Sequence, residues 1–473
     1  MGGPPRSRRL APARPRRGAG WRADQGVGPR HRARGRRGRA LPGRRARAGA
    51  PARRPARGAL SRGGRPGPAE ACGNVWSRTP TVRLSFRAPG EVPPSRWPAR
   101  LPVGSSFLPF GLFLRRELED VLAVEREGAR GSALAFGGHL RLPAEQAVER
   151  LRAKLRPYGY TPFLQRDDGL DWVQALPLAE VTARSRPSIH ILLFLATVAT
   201  TLLAGAFISG VSPVALSADP RRIASGLPFA ASLLAILGVH EFGHYTLGRR
   251  HGMAVSLPYF LPLPPIPGTL MIGTLGAVIR LRGPAQSRRA LFDMAVAGPL
   301  AGLVVAIPVY VWGLRMSSVI QIPPGTEIAA FQLGDSLLLK LLTRLVMGPL
   351  PTGTDILLHP VGLAAWFGFL VTTLNLIPAG QLDGGHIVYA LFGRRHTLIS
   401  QCSVVILLLM GIVLWSPNWL VWAALIVFLM GFHHGPTMDD ITPLGPGRRA
   451  VGALAFVLLV LLLPPVPVPL SAH

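Results

Sequence analysis

From Arg186 onward the chain is dominated by apolar runs, broken at intervals by short polar or proline-rich stretches. Runs long enough to cross a hydrocarbon core of about 30 Å lie at 188–210, 226–248, 291–313, 360–392 with an interruption, 398–415, 418–432 and 450–464. They predict about six or seven membrane-spanning helices, the last two being the shortest. Ahead of them the pattern changes period. Ala133 to Leu142 reads as a strand, and Pro143 to Leu155 as a helix with Ala147, Val148, Leu151 and Leu155 on one face. Thr161 to Gln165 and Leu170 to Leu176 read as a hairpin around Asp167-Asp168-Gly169. The expected fold is a polytopic α-helical membrane protein, with a small cytoplasmic α+β module at 111–185 before the first span. The membrane domain occupies 186–464, and a disordered basic segment occupies 1–110.

Composition supports the membrane reading. A mean hydropathy of +0.31 with 16% charged residues is too apolar for an ordinary soluble enzyme. The formal net charge of +30 suggests nucleic acid, but much of it lies before Glu70. From Met1 to Gly73 the sequence is almost entirely Arg, Ala, Gly and Pro, without aliphatic periodicity, and it cannot bury enough apolar surface to fold. Three origins fit such a segment: upstream sequence brought in by an early start codon, a solvated basic tail, or a nucleic-acid arm. A nucleic-acid partner is not expected, and no apolar core follows the basic run as a secretory signal requires. With Cys72 in that segment and Cys402 in an apolar helix, neither a disulfide framework nor a thiolate metal site is available.

The arginines give an orientation. Arg249, Arg250, Arg280, Arg282, Arg288 and Arg289 lie between the second and third runs, Arg394 and Arg395 follow the fourth, and Arg448 and Arg449 follow the sixth. Alternate loops are poor in basic residues, so the arginine-bearing loops are expected on the cytoplasmic side.

Near the cytoplasmic end of the second run stands His240-Glu241-Phe242-Gly243-His244. Residues four apart share a helix face, so both imidazoles can reach one Zn²⁺, with Glu241 beside the metal-activated water as general base. Ionisable groups at membrane depth cost on the order of 2.5–3.5 kcal/mol each, and metal coordination compensates. The bland alternative is a pair of satisfied core histidines with a buried carboxylate.

A catalytic zinc needs a third protein ligand. The fourth run is broken by Asn375-Leu376-Ile377-Pro378-Ala379-Gly380-Gln381-Leu382-Asp383-Gly384-Gly385-His386. Pro378 removes a backbone donor and the glycines permit irregular backbone, so Asp383 can turn inward rather than towards lipid. Asp383 is therefore the expected third ligand. Taken alone, the break also fits a kink with a capping residue.

These two motifs, in this order and each in an apolar run, resemble the paired signatures of the site-2 protease family of intramembrane metalloproteases. The likeness covers roughly residues 188 to 400. It implies zinc held by His240, His244 and Asp383, Glu241 as catalytic base, and Asn375 holding substrate backbone. No sequence of PDZ character is inserted between the runs. Ala297-Gly298-Pro299-Leu300-Ala301-Gly302 also lacks the Asn that some members carry after the Gly-Pro. The chain is most similar to the PDZ-free branch that also occurs in plastids.

A proline-rich stretch after Ser256 leads into Gly273-Thr274-Leu275-Gly276-Ala277-Val278-Ile279-Arg280, which reads as a re-entrant hairpin beside the metal or as a packed amphipathic loop. As a hairpin, its strand edge can hold an unwound substrate. His386 is a supporting residue or merely a helix-start histidine. His251 is expected to be solvated, and His433-His434 to point apart.

The function expected is hydrolysis of peptide bonds in or near transmembrane segments, the partners being the lipid bilayer and membrane-protein substrates with a transmembrane helix. A bacterial cytoplasmic membrane, with the site towards the cytoplasm, is the expected location. Rival readings are a metal-ion or proton-coupled transporter, a zinc protease acting on peptides at the membrane surface, and a catalytically silent scaffold.

Overall fold

The computed structural model describes residues 108–130, 132–177, 186–266, 271–321 and 333–467. The segment expected to be disordered lies outside them as far as residue 107. Helix α1 (Leu108–Leu118) starts ahead of the expected boundary at 111 and leads into strands β1 (Leu122–Arg130) and β2 (Ala133–Leu140). Helix α2 (Ala144–Leu155) and strands β3 (Thr161–Asp167) and β4 (Leu170–Leu176) follow. The four strands form an antiparallel sheet in the order β1-β2-β4-β3. Asp168 and Gly169, both with positive φ, make the two-residue connection whose twist matches that of the strands. Ala147, Val148, Leu151 and Leu155 of α2 are buried with Phe136, Leu164 and Val173 of the sheet and Leu114 and Leu118 of α1. Each fully buried leucine there stabilises the packing by about 1.5–3 kcal/mol.

Among the described residues four stretches are long and apolar enough to cross a membrane: Pro187–Ile208, Pro220–Arg250, Arg288–Arg315 and Asp383–Val413. They contain α3 (Pro187–Ile208), α5 (Leu227–Arg250), α6 (Arg288–Arg315), and the pair α9 (Asp383–Phe392) and α10 (His396–Val413), with the short α4 (Pro213–Ala218) after α3. Two shorter apolar helices, Pro360–Leu376 (α8) and Pro417–Met430, accompany them, the second beginning as α11 (Pro417–Leu425) and closing with a π-turn over Ile426–Met430. Helix α12 (Pro446–Leu462) completes the described set. The chain is thus a polytopic helical membrane protein. Its centre is α5, α6 and α8, which pack on one another through Phe229, Leu233, Ile236, Phe292, Trp366 and Phe369.

Two features between α6 and α8 have no counterpart in the apolar pattern. Strands β7 (Ser318–Gln321) and β8 (Thr354–Leu357) pair antiparallel, and the amphipathic helix α7 (Leu337–Met347) lies between them in sequence. α7 is capped by the Ser336 hydroxyl, which accepts from the Leu339 N–H. It exposes Leu337, Leu341 and Leu345 as one apolar stripe.

The sheet is joined to the membrane helices by backbone pairing. Leu164 of β3 donates its N–H to the Met438 carbonyl and accepts from the Asp440 N–H. The same short segment pairs on its other side with the approach to α6: Met438 and Asp439 donate to Ala285 and Gln286, and Arg288 donates to Asp439. Arg289–Glu145 and Arg394–Asp167 ion pairs flank this bridge.

Candidate metal centre

Helix α5 carries His240, Glu241 and His244, all buried. The imidazoles stand four residues apart on one face, and Glu241, three before His244, lies beside that face. Their Nε2 atoms approach to 3.1 Å. Asp383 opens α9, and its Oδ2 lies 3.2 Å from His244 Nε2 and 3.5 Å from His240 Nε2. Donors held about 2.0–2.1 Å from a tetrahedral ion stand about 3.3 Å from each other, so the three atoms already form one face of such a shell. Asp383 Oδ2 is fully buried and has no hydrogen-bond partner, a costly arrangement that a cation relieves. Among the described residues this is the one cluster of His, Cys, Asp or Glu with ligand spacing.

The neighbouring helix fixes the tautomer. His244 Nδ1 donates to the Met294 carbonyl of α6 at 2.7 Å, which leaves the Nε2 lone pair facing the cluster. That contact requires α6 to lie very close to α5. A Cβ on Gly298 would stand 2.1 Å from His244 Nε2, and one on Gly302 would stand 3.1 Å from His240 Nδ1. The two glycines are four apart on α6, and their missing side chains make room for the two ligand rings. In the sequence this stretch stands out only for lacking an Asn after Gly298-Pro299.

Asp383 reaches the cluster because α8 ends at Leu376 and the chain reverses through 377–382. The turn is tight: a Cβ on Gly384 would stand 2.1 Å from the Leu376 carbonyl oxygen. Helix α10 satisfies the loosened backbone, since Ser400 accepts from the Gly380 N–H, Ser403 donates to the Pro378 carbonyl, and His396 Nε2 lies 3.1 Å from the Gly380 carbonyl. Irregular backbone at membrane depth is tolerable only with such partners. Asn375, in the last turn of α8, places its side-chain amide 3.2 Å from His240 Nε2. The structure therefore brings together His240, Glu241, His244, Asp383 and Asn375, the five residues anticipated from the motifs.

Three histidines differ from or add to expectation. His251 is not simply solvated: its Nε2 contacts Asp293 Oδ2 at 2.9 Å, and Arg448 clamps the same carboxylate with two hydrogen bonds. His434 does not stand idle beside His433, because its Nε2 lies 2.7 Å from Nδ1 of His386. The proline-rich segment forms a hairpin, β5 (Tyr259–Pro262) against β6 (Thr274–Val278), packed on α3 with β6 also touching α5. Among the described residues β6 carries no further strand, and Leu275 and Val278 are exposed.

Comparison with known proteins agrees with this geometry. Residues 228–416 match the model of peptidase family M50. "Probable zinc metalloprotease EGY2, chloroplastic" of Arabidopsis thaliana is 33% identical over 248 residues, covering 51% of this chain and 42% of the relative. The Arabidopsis EGY1 of the same description is 30% identical, covering 51% and 43%. The EGY3 of Oryza sativa subsp. indica is 29% identical over 365 residues, covering 71% and 60%. The chain spans about half the length of the relatives it matches. No solved structure matches it. The two motifs, the His-His-Asp cluster they build and the match to the model of peptidase family M50 thus coincide in one segment, residues 228–416.

Proposed function

We propose that the protein is an intramembrane zinc metalloprotease that hydrolyses peptide bonds in or near the transmembrane segments of membrane proteins. The observation that carries this reading is the buried His240, His244 and Asp383 donor set with Glu241 beside it on α5. His240, His244 and Asp383 hold the ion, two neutral imidazoles and one carboxylate being a donor set that suits zinc. An ion held there would supply Lewis acidity to a water and to the scissile carbonyl. Glu241 takes the proton from the attacking water and returns it to the leaving nitrogen. Asn375, with its amide beside His240, donates to the substrate backbone carbonyl and orients it. The open edge of β6 offers backbone hydrogen bonds to an unwound substrate strand. The relatives bear the name zinc metalloprotease, which supports the same reading and gives a transporter none.

The topology proposed with it has seven spans: α3, α5, α6, the broken α8–α9, α10, Pro417–Met430 and α12. With that count, the loops bearing Arg249 to Arg289, Arg394–Arg395 and Arg448–Arg449 share the cytoplasmic side. The α+β module is held by Arg289, Arg394 and residues 438–440, all on those loops, which supports a cytoplasmic place for it. The site on α5 lies towards that side, ten residues from the Arg250 end. The relatives' names speak of chloroplasts, so the bacterial membrane expected from the sequence has no support among them.

The test uses purified wild type and Glu241→Gln, assayed for zinc content and for cleavage of a panel of single-span substrates. Both should hold one zinc and only the wild type should cut. A wild type that holds zinc, cuts nothing and moves ions across liposomes refutes the protease reading.

A further inference from the structure

His386 stands one helical turn after Asp383 on α9, on the same face as that ligand, and its ring interacts electrostatically with Asp383 and His244. Its hydrogen bonding is set by a residue far away in sequence. His434 Nδ1 lies 2.6 Å from the Gly435 carbonyl, which can only accept, so Nδ1 carries a proton. Burial holds the His434 imidazole neutral by pushing its pKa well below the ordinary value, with the neighbouring His386 adding to the effect. Neutral His434 therefore presents a bare Nε2, and His386 Nδ1, at 2.7 Å, must be the donor. What remains on His386 is an unprotonated Nε2 with no hydrogen bond among the described residues.

The arrangement is braced. Tyr389, one turn further along α9, stacks on the His434 ring at 4.1 Å between centroids and an interplanar angle of 17°, and its hydroxyl donates to Asp440. His396 meets the same ring edge-on at 5.6 Å. Packing against a protein-bound partner on three sides leaves His434 little freedom to turn, and so fixes which nitrogen of His386 stays free.

We propose that His386, held in its Nδ1–H tautomer by His434, is a substrate-positioning residue whose free Nε2 accepts a hydrogen bond from a backbone N–H of the unwound substrate. This rests on the protease reading and deepens it. An extended backbone presents carbonyls and amides in alternation. Asn375 supplies a donor beside His240, His240, His244 and Asp383 are committed to the ion, and His386 supplies an acceptor one turn from Asp383. A substrate amide on the side of the strand turned away from β6 otherwise loses its helical partner and gains none.

Two substitutions separate this role from packing. His386→Gln keeps an acceptor at the place of Nε2 and loses the Nδ1 donor, while His386→Asn keeps a donor to His434 and loses the acceptor. Full-length protein is measured for zinc retained under chelator challenge, for kcat and KM on a single-span substrate, and for Kd of that substrate in the Glu241→Gln background. Zinc retention should match wild type in both. The Asn variant should lose about tenfold in kcat/KM and in Kd, the loss expected of one hydrogen bond whose buried donor is left unpaired, while the Gln variant stays within about threefold. An Asn variant as good as wild type, with Gln impaired or not, overturns the proposal and leaves His386 as a packing partner of His434. Zinc loss in both variants also overturns it, by moving His386 into metal retention. A wild type that neither cuts nor binds the substrate defeats the protease reading itself, and is told apart by that control.

Discussion

Gly298 is where a single methyl group should do the most damage per atom. In Gly298→Ala the new Cβ would lie 2.1 Å from His244 Nε2 and 2.4 Å from both flanking ring carbons. Ordinary contact begins at about 3.5 Å, so ring and helix must separate by more than about 1 Å. Neither is free to move. The His244 ring is tied to α6 itself through the Met294 carbonyl at 2.7 Å, and α6 is pressed on α5 again at Gly243, where a Cβ would stand 2.7 Å from the Ala297 carbonyl oxygen. Metal ligation tolerates displacement of only about 0.2 Å, and a misplacement of about 1 Å at a reacting centre costs about a hundredfold. Gly298→Ala should therefore weaken zinc binding and cleavage by about a hundredfold or more. Overpacking should cost about 1–3 kcal/mol of stability beside this. Zinc affinity is read by chelator competition, and folding by helical circular dichroism and thermal melting in detergent. Gly302→Ala, whose Cβ meets His240 Nδ1 at 3.1 Å, should give a milder loss of about tenfold, while Gly238→Ala, with nothing within 4 Å, should be silent. A folded Gly298→Ala that binds zinc within threefold of wild type would refute the steric argument.

Other expectations follow from the same geometry. Asp383→Ala should abolish stoichiometric zinc while leaving the helices formed, because it also removes the unpartnered buried oxygen; metal analysis after size exclusion checks this. Zinc present at about a hundred times its Kd should stabilise the protein by about 2.7 kcal/mol, so chelation should lower the melting temperature of the wild type and not that of Asp383→Ala. Asp293→Asn breaks the two-bond clamp from Arg448 and weakens the His251 contact; with Arg448 partly exposed the loss should be about 1 kcal/mol, read as a shift in denaturation midpoint. The carboxyl of Asp440 is raised above its ordinary pKa chiefly by burial. A raised folded-state value means the folded protein holds this proton more tightly, so the contribution is stabilising at low pH and is lost as pH rises through that value. Asp440→Asn, which keeps an acceptor for Tyr389, should therefore melt at or above wild type at neutral pH, with the gap closing as the pH falls towards the ordinary carboxylate range.

The parts of this protein legible in its sequence are those fixed by local periodicity. The spacing of His240 and His244 on an apolar helix, and the Pro378-to-Gly385 break that frees Asp383, each carry their meaning within about a dozen residues. Strands β2, β3 and β4 and the α2 face are readable for the same reason, whereas α1 and β1 have no counterpart in the sequence expectation. What escaped depends on contacts between distant segments. Nothing near His251 announces Asp293, and nothing near Asp293 announces Arg448, since three separate elements meet there. Gly298 and Gly302 look like any small residues in a membrane helix until the two ligand rings are placed against them. The pairing of His386 with His434 depends on where the loop after the π-turn returns, which no local pattern encodes. Helix α7 was missed because its eleven residues are too few for a span and its polar face is thin.

The division of the metal grip between α5 and α9 has a consequence for biosynthesis. Two donors are made early and the third only after α6 and α8 have been synthesised, an interval on the order of ten seconds at roughly 5–20 residues per second. During that time a nascent chain can offer an ion just two imidazoles, a weak and readily exchanged hold. A nascent chain that has not yet reached Asp383 therefore lacks the third donor on which the proposed hydrolysis depends, and stays inert towards its neighbours in the translocon for that interval.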